Sequence, residues 1–230
     1  MRLTSMTRIA LYAASLFIAL PLLFTPALAQ SSAPPNTGTP FKDTSMLKPP
    51  AGARVAIFEF EDLECPACAH AFPITRAAAE HYKIPLLHHD FPLRMHIWSL
   101  DAAITARYIQ DKISPQAAEE YRRAVFANQN AIASKEDLQN FTRHYFQSHG
   151  REMPFVVDPT GQFAREVHAD YELGERVGLT QTPTIFVVTP KYWVQVTDVS
   201  QLYQTIDTAL AQTPVPVAHN NLRRPTKTQR

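Results

Sequence analysis

Cysteine is nearly absent: Cys65 and Cys68 are the only two in 230 residues. Disulfides that brace a small domain lie far apart in sequence and close long loops, whereas a bridge across two intervening residues removes little entropy from the unfolded chain. A structural zinc site usually takes four ligands, and no further cysteine is present to supply them. A covalent haem site needs histidine directly after the second cysteine, and Ala69 stands there. Excess charge is lacking too, with 22 basic against 21 acidic residues, a net charge of +1, so neither nucleic acid nor an anionic membrane surface is an implied partner. No internal repeat is evident, and no apolar run after residue 29 is long enough to read as a membrane span.

The ends of the chain carry patterns of their own. Arg2 and Arg8 precede an apolar stretch from Ile9 to Phe24, and Ala27-Leu28-Ala29 follows, which is the layout of a signal peptide over residues 1–29, cleaved after Ala29. An uncleaved membrane anchor is the alternative, weakened by Ser15 and Pro21. Without residues 1–29 the balance becomes 20 basic against 21 acidic residues. Residues 30–53, with Pro34-Pro35, Pro40 and Pro49-Pro50, are expected to form a flexible lead-in. Residues 213–230, with three prolines and Arg223, Arg224, Lys227 and Arg230, are expected to form a flexible basic tail.

Between them, Arg54–Phe60 reads as a buried strand that is apolar on both faces except at Glu59, and Ala69–Lys83 as a helix. Pro85–Phe91 is a second strand reached through that helix, a βαβ unit with parallel strands and a right-handed connection. Thr184–Val188 and Tyr192–Val196 form a hairpin around Pro190-Lys191, followed by a terminal amphipathic helix over Val199–Leu210. The middle of the chain reads as four helices over Leu100–Gln110, Pro115–Phe126, Lys135–Phe146 and Gln162–Val177, with N-cap signals at Ser114-Pro115 and Ser134. The fold class is α/β, with a core over 54–93 and 178–212 and a helical insertion over 94–177.

The two cysteines therefore sit in Cys65-Pro66-Ala67-Cys68, between a buried strand and a helix. A helix N-terminus carries partial positive charge and unpaired N–H groups, which stabilise a thiolate, so Cys65 is the candidate nucleophile and Cys68, one turn in, the resolving thiol. Pro66 suits the first helical turn, Ala67 offers neither charge nor hydrogen bond, and Glu64 opposes ionisation of Cys65. Glu59, six residues upstream, is either a buried carboxyl of raised pKa able to accept the Cys68 proton, or a residue that strand curvature carries to water. His88, His89 and His96 do not read as a metal set, because strand alternation sends the first two to opposite faces. Phe141, Tyr145 and Phe146 read as core. Phe91-Pro92-Leu93 and Ile97-Trp98 either line an apolar groove near Cys65 or cover the core.

This strand, the Cys-Pro-x-Cys run, the carboxylate six positions upstream, the helical insertion and Gly178-Leu179-Thr180-Gln181-Thr182-Pro183-Thr184-Ile185-Phe186-Val187 together resemble the DsbA-type thiol:disulfide oxidoreductases of the thioredoxin superfamily. The likeness spans Arg54 to Ala211. It implies a thioredoxin fold with an inserted all-helical domain, Cys65 as attacking and Cys68 as resolving cysteine, and Pro183 as a cis-proline facing them. It further implies Thr182 as the residue whose backbone pairs with an extended substrate segment. Two departures stand out: Ala67 occupies the place where strong oxidants of the family have histidine, and Gln181 a place where similar sequences often have glycine. The expected function is an exported dithiol oxidase that exchanges the Cys65–Cys68 disulfide with substrate thiols. The alternatives are a periplasmic reductase or isomerase, and a non-enzymatic peptide-binding protein. No metal and no cofactor beyond the redox-active disulfide is expected. The expected partners are reduced or misoxidised exported proteins and a membrane redox protein that recycles the dithiol, and the chain is expected to be a monomer.

Overall fold

The computed structural model describes residues 41–213; the signal-like residues 1–29, the first part of the lead-in and residues 214–230 lie outside the described residues. Four strands form one sheet in the order β2-β1-β3-β4. Strand β1 (Ala56–Glu61) pairs in parallel with β2 (Leu86–Asp90) and antiparallel with β3 (Thr184–Val188), which forms the hairpin with β4 (Trp193–Val196). Helix α1 (Pro66–Tyr82) makes the crossover between β1 and β2, as the pattern of the sequence predicts. Four helices follow, α2 (Ser99–Lys112), α3 (Pro115–Asn128), α4 (Lys135–Ser148) and α5 (Gln162–Val177), and α6 (Leu202–Gln212) ends the fold. Ser114 and Ser134 cap α3 and α4 by accepting from the N–H groups of Ala117 and Asp137.

Strand alternation divides β1 between two cores. Val55 and Ile57 pack with Ala71 and Ala78 of α1 and with Leu202 and Ile206 of α6, while Ala56, Phe58 and Phe60 face the other side of the sheet with Phe186, Val188 and Trp193. That second face has to be covered by something else, since α1 and α6 occupy the first. It is covered by α5, through Tyr171, Leu173 and Val177, and by residues 41–47. Two expectations are corrected here. Helix α5 is not part of a separate insertion but a layer of the sheet domain; its amphipathic pattern is the same as that of its neighbours, so periodicity could not tell it apart. Residues 41–53 are not a flexible lead-in throughout: Phe41 sets its ring edge-on against Phe186 and Trp193 at 5.1 and 5.5 Å, Leu47 is 2% exposed, and Lys42 N–H donates to the Val177 carbonyl at 2.8 Å.

The third core joins the helices to the active-site end of the sheet. Leu63, Cys65, Cys68 and Phe72 pack with Trp98, Ala102, Tyr121, Val125 and Phe126, and with Phe146 of α4. Among the described residues no helix is long and apolar enough to cross a membrane.

Candidate active site

Cys65 is the N-cap of α1 and Pro66 its first residue, so the helix starts three positions earlier than the apolar run suggested. Proline lacks an N–H, but first-turn N–H groups have no helical partner in any case. The Pro66-Ala67 dipeptide is exposed, Cys65 is 7% exposed and Cys68 is fully buried, so of the two sulfurs Cys65 is the nearer to solvent. Both cysteines carry free thiols.

The loop after α5 meets this helix end. Gly178, at φ 93°, closes α5 in the left-handed conformation, with its N–H and that of Leu179 returned to Gly174. The chain then runs to Thr182-Pro183, joined by a cis peptide bond, and enters β3. Cys65 Sγ donates to the Thr182 carbonyl at 3.3 Å, so residues 117 positions apart in sequence meet as the family resemblance implied. Gln181 is exposed and leaves that contact open.

The two sulfurs differ in acidity because of what surrounds each. Hydrogen bonding from the Cys68 thiol, then from Thr182 and the N–H groups of Cys68 and Ala67, brings Cys65 down to about 5, with burial working against them. Burial pushes Cys68 well above the ordinary thiol range, and the Cys65 sulfur and the Glu61 carboxylate push it further, against the N–H of Asp62, which donates to Cys68 Sγ at 3.4 Å. The thiolate at Cys65 needs no histidine at position 67; its donors come from Cys68, Thr182 and the helix end.

Glu59 is fully buried, which removes the reading in which it reaches water. It accepts from the Thr75 hydroxyl at 3.2 Å and is paired with Arg76, both on α1. Burial and the neighbouring Glu61 raise it to about 7 against the pull of Arg76 and Thr75. Thr75 lies seven positions along the helix from Cys68, about 10 Å along the axis, so Glu59 is not a contact of the sulfur. The Glu64 carboxylate accepts from the Trp98 and Ser99 N–H groups at 2.7 and 3.0 Å and so caps α2.

Several residues that hold the site carried no recognisable local signal. Asp62 Oδ2 accepts from the Leu93 N–H at 2.6 Å and lies 2.7 Å from His96 Nδ1, while Oδ1 accepts from Glu64 N–H and the Ser99 hydroxyl. Gln129, in a 3-10 turn after α3, donates to the Leu63 and Cys65 carbonyls at 2.7 and 3.1 Å. Asp62, Glu64 and Gln129 thus fasten the turn that presents Cys65 to the helices. His88 and His89 do point to opposite faces: His88 Nε2 is 2.9 Å from Glu61, and His89 stacks on Phe60 and meets Asp170 at 2.8 Å. Of the proposed groove residues, Phe91 and Trp98 are core, whereas Pro92, Leu93 and Ile97 line a groove of about 630 Å³ with Leu100 and Tyr171. Phe141 and Tyr145 pack against the core that holds Phe146.

No curated protein sequence matches the chain. Among solved structures, α-DsbA1 of Wolbachia pipientis aligns with a TM-score of 0.57 at 16% identity, over 70% of this chain and 88% of that one. DsbA2 of Pseudomonas aeruginosa aligns at 0.53 and 18% identity, over 71% and 93%. ScsC of Proteus mirabilis aligns at 0.54 and 18% identity, over 70% of each chain. These likenesses establish the fold. A family model described as thioredoxin matches residues 44–208, most of the chain and the whole of the site, and the protein therefore belongs to the thioredoxin family.

Proposed function

We propose that this protein is an exported thiol:disulfide oxidoreductase that passes its Cys65–Cys68 disulfide to thiols of folding proteins. The carrying observation is the asymmetry of the two sulfurs beside Thr182-Pro183: Cys65 ionises near 5 while Cys68 is held as a thiol. A substrate thiolate attacks Cys65, the Cys65–Cys68 bond breaks, and Cys68 leaves and takes up a proton, with Glu59 as the buried group that holds one near neutrality. A second substrate thiolate then attacks the substrate sulfur of the mixed disulfide and expels Cys65 as thiolate, a good leaving group because its conjugate acid is strong. Stabilisation of that thiolate favours the reduced protein and so the direction of oxidation. The Thr182 backbone is placed to pair with an extended substrate segment as it docks over the cysteines.

The leader pattern of residues 1–29 supports export, and with it exported proteins as substrates and a membrane redox protein as the recycling partner. A monomer suffices, since both sulfurs, Thr182 and Glu59 come from one chain. The test is the reduction potential against glutathione, together with oxidation of a reduced test protein. A potential well above about −270 mV, the thioredoxin value, with oxidation lost in Cys65→Ser, supports the oxidase. A potential at the thioredoxin value makes the protein a reductase. Oxidation retained in Cys65→Ser would leave the cysteines incidental and favour a peptide-binding role.

A further inference from the structure

Glu59 and Glu61 lie two residues apart on β1, so their side chains share the face of the sheet that α1 covers. A strand rises about 3.3 Å per residue, which puts Glu61 about 7 Å nearer the active-site end than Glu59. Glu61 is 1% exposed and directly precedes Asp62, whose N–H is on Cys68 Sγ. Its partners converge from three elements: Arg76 of α1 at 3.2 Å, His88 of β2 at 2.9 Å and Arg122 of α3 at 3.3 Å. Arg76 also meets Glu59 and Glu119, and Arg122 and His88 also meet Asp90. Although burial opposes ionisation, Arg76, His88 and Arg122 hold Glu61 ionised well below the ordinary carboxylate range. The charge of this carboxylate adds to the burial and the Cys65 sulfur that raise the resolving thiol.

We propose that Glu61 is a positioning residue for the exchange reaction: a permanent buried charge that keeps Cys68 protonated and so slows its return attack on a mixed disulfide at Cys65. The inference rests on the reading of Cys65 and Cys68 as the exchanging pair. In the step concerned, Cys68 gives up its proton and the thiolate attacks the Cys65 sulfur. The Cys65–Cys68 bond forms, the bond to the bound thiol breaks, and that thiol leaves carrying the electron pair. A fixed negative charge beside Cys68 makes its thiolate rare, so a captured substrate stays attached for longer and has more time to be resolved by its own second thiol, which completes oxidation.

The reduced protein is mixed with dithiobis-nitrobenzoate and the release of the coloured thiol is followed by stopped flow across a range of pH. The first phase is attack by Cys65, and the second is attack by Cys68 on the mixed disulfide. In Glu61→Gln the second phase should quicken about tenfold near neutrality, with its pH profile displaced to lower pH, while the first phase changes less than about twofold. Glu61→Asp, which keeps the charge, should restore the parent profile. His88→Gln removes a partner of the Glu61 carboxylate at a partly exposed position, leaves more of its field on Cys68, and should slow the second phase; this variant carries the test if Glu61→Gln does not fold. A second phase whose pH profile is unchanged in the folded variants overturns the role of Glu61. Loss of both phases in the parent protein overturns the reading of the cysteine pair instead.

Discussion

Thr182 offers one sulfur two different groups. Its carbonyl accepts from Cys65 while the sulfur is a thiol, at 3.3 Å, but a thiolate has no proton to donate and that contact then gains nothing. Its hydroxyl is the complement: it is buried without a hydrogen-bond partner while Cys65 is a thiol, and as a donor it can serve the ionised sulfur, in keeping with the lowering of the Cys65 pKa by Thr182. Thr182→Val keeps the shape and the backbone and removes that donor. A hydrogen bond to a charged group is worth about 1.5 kcal/mol, so Cys65 should become about a tenfold weaker acid. The ultraviolet absorbance of the thiolate, titrated with pH, checks this, and the reduction potential should fall with it because the reduced form has lost stabilisation.

At the scale of elements, the contacts that matter most join segments far apart in the chain, and this decides what could be read beforehand. The Cys-Pro-Ala-Cys turn and the strand before it were legible because each is a local pattern with a local cause, whereas the cis-proline followed only from the family resemblance. Asp62, Gln129 and Arg122 were not, because their roles exist only once residues 30 to 70 positions away have been brought alongside. The buried Glu61 gives no signal for a related reason: it sits at the polar end of an apolar run, where a carboxylate ordinarily reads as the start of a loop. Phe41 and Leu47 were hidden by the prolines around them, although two anchors are enough to lay a short segment on a sheet face. Gly174 is another case. It reads as a poor helix residue inside α5, where alanine is normally better by about 1 kcal/mol. In the fold, a Cβ at Gly174 would lie 2.4 Å from the ring of Phe91, which is itself stacked on Tyr171 of the same helix at 4.7 Å and cannot easily move aside. Gly174→Ala should therefore lower stability by about 1–3 kcal/mol in spite of its propensity, with a lower denaturant midpoint at unchanged slope as the check.

For the whole molecule, the boundary between the sheet and the helices is ionic as well as apolar. Arg76 and Arg122 link Glu59, Glu61 and Asp90, and Arg107 joins Asp90 to Asp170. Burying so many charges gives the fold a pH window with two limbs of different origin. Burial opposes ionisation of Glu61 and Asp90, but the arginines and His88 hold both below the ordinary carboxylate range. Their contribution is present above the unfolded-state pKa and is lost as the pH falls through the acid range. Glu59 acts in the opposite sense: it is raised from 4.5 to about 7, so the folded protein binds a proton that the unfolded chain has released, and the stability this confers declines as the pH rises toward and through 7. Maximum stability is therefore expected near pH 4.5, with the Glu59 contribution falling away between about pH 4.5 and 7. In Glu59→Gln the decline between about pH 4.5 and 7 should flatten while the acid limb stays as it was. A series of thermal melts from acid to mildly alkaline pH reads both, at about 2–4 °C in Tm for each kcal/mol. A decline equally steep in Glu59→Gln would assign it to another group and leave Glu59 ionised throughout, which would also remove it as the donor of a proton to the departing Cys68.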